Sequence, residues 1–353
     1  MSPRPTVDLR SDLLSRPSAD AIDAMARAAA GSGAFGLRED TCQAELERRV
    51  ASLLGMEDAL LFPTCTMANE TALLLLGRPG EVVITQEASH VVTSEGGAPA
   101  ALAGLMPISL GGGATPALAA WVDAIESGDE SKPRTGVVVV ENTHNRSGGV
   151  PLPPDYTGAI TDAARRAGVR SHLDGARLFN VAVALDVAPA DVAAGFDTVA
   201  ISLNKGLGAP LGAMLAGRRD TIRRALAIRH RLGGGIRPSG VVAAPALAML
   251  ERWPEVAEDH RRARRLAECL GGIPGFAGER PATNIVLLRP GAGRSPASVC
   301  EALARAGVLA LPFGADRVRF VTYRGLSDDD IDAAAEAIRA ALGADTDVEA
   351  VAS

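Results

Sequence analysis

The stretch Asp197–Pro210, DTVAISLNKGLGAP, decides how this chain is read. Thr198, Val199, Ala200 and Ile201 have the side chains of a buried strand, and the residues after them turn sharply. Lys205 stands at that turn, with Ser202 three residues before it and Gly206 and Gly208 just after. Taken alone, a lysine past a strand end is an ordinary surface residue. Two upstream stretches argue for more. Val169–Gly175 is a second strand, and it ends in Asp174-Gly175-Ala176-Arg177, placing an acid and a base at another strand exit. Thr64-Cys65-Thr66 offers hydroxyls and backbone amides immediately ahead of a helix.

An amine, an acid and an anion cradle at three strand exits are the parts that pyridoxal phosphate chemistry needs. The lysine forms a Schiff base, the acid keeps a pyridine nitrogen protonated, and the helix N-terminus takes a phosphate. The rest of the chain fits that plan. Strands Ala59–Phe62, Val82–Thr85, Met106–Leu110, Gly136–Val140, Arg170–Leu173, Thr198–Leu203 and Leu211–Leu215 alternate with helices Met67–Leu76, Ser94–Ala103, Pro116–Ile125 and Tyr156–Ala167. Strands that are apolar throughout and alternate with helices indicate an α/β fold, a parallel sheet covered on both faces. Ligands of such sheets sit outside the carboxyl ends of the strands, where Lys205 and Asp174 fall. The expected organisation is an N-terminal arm over 1–20, a large domain over 21–253, a smaller α+β domain over 254–344, and a disordered tail over 345–353. Within it, helix Val241–Trp253 stops at Pro254, Thr115 caps Pro116–Ile125, and Ser327 caps a last helix, Asp329–Leu342.

Composition sets the outer limits. With 353 residues, 47% hydrophobic and 22% charged, the chain can bury a large core. A net charge of −6 without a dense basic cluster argues against nucleic acid. The four cysteines lie far apart and form no CxxC, so neither a metal site nor a disulfide framework is expected. The stretch MSPRPTVDLRSD has no apolar core of the signal-peptide kind, and runs such as Val137–Val140 are too short to span a membrane. A reducing, cytoplasmic setting is the expectation.

Five motifs follow one another in register: Asp8-Leu9-Arg10-Ser11-Asp12, Glu141-Asn142-Thr143-His144-Asn145, Leu173-Asp174-Gly175-Ala176-Arg177-Leu178-Phe179-Asn180, Lys205-Gly206-Leu207-Gly208-Ala209-Pro210 and Gly233-Gly234-Gly235-Ile236-Arg237. Together they resemble the low-specificity L-threonine aldolases, in the beta-eliminating lyase family of fold-type I pyridoxal phosphate enzymes, over about residues 7 to 340. The resemblance implies an aspartate-aminotransferase-like fold with a mostly parallel seven-stranded sheet. It also implies cleavage of a β-hydroxy-α-amino acid such as threonine into glycine and an aldehyde.

It assigns roles residue by residue. Lys205 resembles the Schiff-base lysine and Asp174 the acid at the pyridine nitrogen. His90 resembles the histidine stacked on the cofactor ring, able also to move the β-hydroxyl proton, with His144 a second candidate for that work. Thr64, Cys65, Thr66 and Ser202 resemble the phosphate cup. Arg237 resembles a phosphate ligand, in the family often from a neighbouring subunit, which implies a dimer or tetramer with shared sites. Arg177 and Arg319 resemble the pair that holds the substrate carboxylate in a two-pronged fork, with Ser11 beside it. Three departures bear on the substrate side chain: Cys65 where Gly is usual, Tyr323 where His is frequent, and Phe35 in place of Tyr in a lengthened segment. The rival readings are an aminotransferase or eliminating enzyme of the same fold, which shares the lysine and the acid, and a non-catalytic ligand-binding α/β protein, which would be colourless.

Overall fold

The computed structural model describes residues 6–31, 34–126, 131–273, 276–291 and 293–343, so the tail expected at 345–353 lies outside the described residues. The chain divides into two compact units, Arg16–Pro254 and Met1–Ser15 with Glu255–Ser353.

In the larger unit a seven-stranded sheet runs in the order Asp58–Phe62, Ala213–Gly217, Thr198–Ser202, Arg170–Gly175, Thr135–Glu141, Val82–Gln86, Met106–Leu110. Ala213–Gly217 is antiparallel to both its neighbours, and the other pairings are parallel. Chain length explains the exception. A parallel return needs a crossover of a dozen residues or more, and residues 203–212 are too few. The chain therefore doubles back, and Lys205 rides on the doubling-back turn. Its carbonyl accepts from Gly208 N at 2.8 Å, and Gly208 takes the left-handed φ of +79° that closes the loop.

The central strands are apolar on both faces because helices cover both: Val137, Val138, Val139 and Val140 are all fully buried. Their register carries the site. Glu141 pairs with Asp174, and Asp174 with Ala200, so three neighbouring strands end side by side at one edge. Gly175 is required there, since a Cβ would lie 2.8 Å from Ala200 O.

Several element boundaries differ from the sequence reading. The helix expected over Ser94–Ala103 is two short ones, His90–Thr93 and Ala98–Ala101, because Gly96 and Gly97 take φ of +65° and +74° between them. The helix expected from Pro116 starts at Leu118 after Ala117, without a cap from Thr115. Val241–Trp253 is Gly240–Leu250 followed by a short 3-10 turn, Trp253–Glu255, that contains Pro254. The strand expected over Leu211–Leu215 is shifted to Ala213–Gly217.

The smaller unit has a four-stranded antiparallel sheet, Leu311–Phe313, Arg317–Val321, Ile285–Pro290 and Phe276–Gly278, with helices Val256–Leu270, Pro296–Arg305 and Asp328–Gly343. Val286, Leu288, Val318, Phe320, Leu266 and Ile338 share its core. The first described residues belong to this unit: Val7–Asp8 pairs in parallel with Val308–Leu309, and Leu9 is fully buried. Ser327 N and Oγ donate to Asp330, whose own N donates back to Ser327 Oγ, a capping box that starts the last helix at Asp328. Among the described residues no helix is long and apolar enough to cross a membrane.

Candidate active site

A cleft in the larger unit is lined by Cys65, His90, Asp174, Arg177 and Lys205, together with Asn69, Glu95, Glu141, Thr143 and Asn145. Asp174, Glu141, Arg177 and Lys205 arrive from the carboxyl ends of strands or the turns after them, Cys65 and His90 from the starts of helices, Asn69 from one turn further along its helix and Glu95 from a loop. Asp174 is 1% exposed, and its carboxylate accepts from Ala176 N at 3.2 Å and from Asn69 Nδ2 at 3.1 Å. Arg177, three residues on, is buried, with Nη1 3.4 Å from Asn145 Oδ1. Cys65 opens helix Cys65–Leu76, and Thr64 caps it by accepting from Met67 N at 3.1 Å. Because the first intrahelical bond runs from Ala68 N to Thr64 O, the amides of Cys65 and Thr66 lie ahead of the ladder at the positive end of the helix dipole. Burial pushes the Cys65 thiol well up, so at neutral pH it is a compact uncharged group.

His90 is anchored at both ends. Its backbone N donates to Glu141 Oε2 at 2.6 Å, and its Nδ1 lies 2.8 Å from Glu95 Oε1. A carboxylate only accepts, so Nδ1 carries the proton and Nε2 is the ring's remaining acceptor. The bond to Glu95 raises the His90 pKa; burial opposes this and Asp174 adds to it. Glu141 is held in turn: its Oε1 accepts from Asn145 N at 2.9 Å, and Gln86 bridges its backbone at 2.9 and 3.1 Å.

Behind these groups runs a buried polar chain that sequence reasoning missed. Asn69 Nδ2 donates to Glu95 Oε1 at 2.9 Å as well as to Asp174, and its Oδ1 lies 3.1 Å from His172 Nε2. His172 Nδ1 lies 2.8 Å from Thr198 Oγ1. With the Asn69 amide nitrogen committed to two carboxylates, its oxygen faces His172, which therefore donates from Nε2 and accepts at Nδ1. Burial pushes the His172 pKa down to about 4, in keeping with that neutral tautomer. Glu70, beside Asn69, is buried; burial first and its neighbour Glu95 second push its carboxyl above the usual carboxylate range.

Other sequence candidates lie elsewhere. His144 is fully buried with Nδ1 2.8 Å from Ser147 Oγ, its pKa lowered by burial, and it is not among the residues lining the cleft. Ser202 is buried and donates to Asn204 Oδ1 at 2.7 Å. Arg237 is exposed; its Nε donates to Phe35 O at 2.7 Å and its guanidinium lies 5.5 Å from the Phe35 ring centre. In the smaller unit Ser11 caps the turn Asp12–Leu14, and Arg319 Nη2 donates to Arg10 O at 3.0 Å with its guanidinium 4.7 Å from the Phe313 ring. Tyr323 there is buried and donates to Asp8 O at 2.9 Å.

The donor set suits pyridoxal phosphate. A buried carboxylate with both oxygens hydrogen-bonded, an amine at the cleft and a helix N-terminus ahead of its ladder match a protonated ring nitrogen, a carbonyl and a phosphate. His90, Glu95 and Asp174 also lie close enough together to suggest a metal cluster, but Asn69 and the His90 N–H already donate into those carboxylates.

Residues 8–291 match the beta-eliminating lyase family. The chain is 35% identical over 339 residues to the probable low-specificity L-threonine aldolase 2 of Arabidopsis thaliana, covering 93% of this chain and 94% of that one. It is 36% identical over 288 residues to the low specificity L-threonine aldolase of Escherichia coli K12, covering 81% and 85%. The solved threonine aldolase of Leishmania major superposes with a TM-score of 0.82 at 21% identity, over 95% of this chain and 99% of that one. On its motifs, its fold and these matches, the chain belongs to the beta-eliminating lyase family, alongside the low-specificity L-threonine aldolases.

Proposed function

We propose that the chain is a pyridoxal phosphate-dependent aldolase cleaving L-threonine, or a related β-hydroxy-α-amino acid, into glycine and an aldehyde. The observation that carries this reading is the meeting of Lys205, Asp174 and His90 in one cleft at the carboxyl edge of the sheet. Pyridoxal phosphate, when bound, supplies an electron sink for the pair released as the Cα–Cβ bond breaks. The chain's own groups do the rest. Lys205 would hold the cofactor through its amine. Asp174 holds a proton on the ring nitrogen. The amides of Cys65 and Thr66, with Thr64 and Ser202, receive the phosphate. Arg177 takes the substrate carboxylate, a role proposed also for Arg319 and Ser11. His90 accepts the β-hydroxyl proton at Nε2, since its Nδ1–H is committed to Glu95. His144, buried against Ser147, is the less suited of the two histidines.

The enzyme is proposed to work as a dimer or tetramer, with Arg237 serving a neighbouring subunit's phosphate. Its exposed position outside the cleft supports that assignment. A cytoplasmic setting is in keeping with four cysteines that are all free thiols. The test is glycine release from a panel of β-hydroxy amino acids by the wild-type protein and by Lys205→Ala. Borohydride reduction followed by mass spectrometry should leave the cofactor's mass on the Lys205 peptide of the wild type only. A keto acid as the main product, or a cofactor mass on another lysine, would overturn the reading.

A further inference from the structure

Three buried carboxyl oxygens beneath the cleft, Glu70 Oε1, Glu70 Oε2 and Glu95 Oε2, have no N–H or hydroxyl donor among the described residues. The other Glu95 oxygen is fully used, accepting from His90 Nδ1 at 2.8 Å and Asn69 Nδ2 at 2.9 Å. Glu70 and Glu95 are 2% and 6% exposed, so water cannot make good the deficit cheaply. Two ionised carboxylates side by side, with donors to only one of their four oxygens, would be among the costliest arrangements a protein interior can hold. A single shared proton resolves it: a neutral Glu70 donates its O–H to Glu95, and all the negative charge of the pair then sits on the residue that touches His90.

We propose that Glu95 is a positioning residue that sets the tautomer and proton affinity of His90, and that Glu70 beside it is a neutral carboxylic acid. The proposal rests on the aldolase reading for its consequence, not for its geometry. In the cleavage step the β-hydroxyl proton passes to His90 Nε2, the Nδ1–H stays on Glu95, and the resulting imidazolium lies against one carboxylate charge. No proton leaves the Glu70–Glu95 pair, so the balance closes on the substrate and His90 alone. Asn69 ties this apparatus to Asp174, because one amide nitrogen bridges both carboxylates.

The charged and titratable groups that face His90 are Glu95 on its own loop, Asp174 and Lys205 from the adjoining strand ends, and Glu141, which holds its backbone. Glu95 faces Glu70 on helix Cys65–Leu76. Of these, Glu95 alone bonds the ring, so its removal should dominate.

The experiment follows the His90 ring by NMR titration in the full-length protein, with and without cofactor, in the wild type, Glu95→Gln and Glu70→Gln. Loss of an adjoining opposite charge should move the His90 midpoint down by about one to two pH units in Glu95→Gln. Glu70→Gln, an isostere of the neutral acid, should leave it within about 0.3 unit, because the Glu95 charge stays. In the holoenzyme the acid limb of threonine cleavage should move in the same direction in Glu95→Gln. An unmoved midpoint in Glu95→Gln, or an equal shift in both variants, would overturn the proposal. Should Glu95→Gln fail to fold, 13C-carboxyl spectra of the wild type decide the matter: one buried glutamate must remain protonated at pH 7, and its absence sinks the idea. Expected His90 shifts in a protein that releases no glycine would sustain this inference and defeat the aldolase reading, so the two failures are separable.

Discussion

Replacing His172 by Gln removes a titration whose cost the fold must bear in acid. His172 is fully buried between Thr198 and Asn69, and its pKa is about 4 in the folded chain against an ordinary 6.5. A histidine whose folded pKa is depressed contributes stability that is fully present above 6.5 and is lost as pH falls toward 4. The total is about 3 kcal/mol, and roughly 2 kcal/mol of it disappears between pH 7 and pH 5. The variant should be less stable at pH 7 by about 1 kcal/mol for its poorer hydrogen bonds, yet lose about 2 kcal/mol less over that interval. Groups common to both proteins, such as His260 with its pKa also near 4, cancel in the comparison. The assay is urea unfolding at pH 7 and pH 5 by tryptophan fluorescence, which reports on the larger unit because Trp121 and Trp253 both lie in it. Parallel losses in the two proteins would mean that His172 is not held neutral, and the acceptor role given to its Nδ1 opposite Thr198 Oγ1 would fall with it.

Three further outcomes concern the site. Asp174→Asn should fold with native circular dichroism while glycine release falls by on the order of 10²-fold or more, because an amide cannot hold the proton on the ring nitrogen; near-normal turnover would remove Asp174 from its role. His90→Phe should keep cofactor affinity, measured by equilibrium titration, and lose about 10²–10⁴-fold in aldol cleavage, while exchange of the glycine α-proton falls much less; equal losses would reduce His90 to a cofactor-positioning group. Mixing Lys205→Ala with Arg237→Ala chains should restore part of the activity through hybrid oligomers, and no recovery despite proven subunit exchange would mean that each chain builds its own phosphate site.

The groups at the front of the cleft were legible because strand exits are legible. An apolar run followed by glycine and a charged residue marks both the element and its end, so Lys205, Asp174 and Arg177 could be placed from sequence alone. Cys65 and Thr66 were found the same way, as the start of a helix. What could not be read lies behind them. Asn69 and Glu70 sit inside an apolar helix and look like its polar face, while His172 sits inside a strand and looks like one more buried side chain. Their roles depend on pairings across 25 to 105 positions (Glu70 with Glu95 to Asn69 with Asp174) that no local pattern records. The split of the helix expected over Ser94–Ala103 has a different cause: its small residues suit a helix, but Gly96 and Gly97 take positive φ side by side and break it.

Asn69 shows why this hidden layer constrains the site so tightly. An asparagine offers one acceptor oxygen and two donor hydrogens, and here both functions are used: the oxygen receives from His172, and the nitrogen gives to Glu95 and to Asp174. Reversing the amide would set its oxygen against two carboxylates and its nitrogen against the His172 N–H, three repulsive contacts at a side chain that is 1% exposed. An aspartate at the same place would add a third acid to the two it now holds apart, and a leucine would leave both carboxylates short of a donor. The acid assigned to the cofactor nitrogen and the carboxylate that steadies His90 are therefore held by a single amide. The two carboxylates fix its direction, and it in turn fixes the tautomer of a histidine that stays neutral. Groups proposed for two separate tasks, holding a proton on the ring and taking one from the substrate, share one rigid support, and a change at Asn69 should disturb both together.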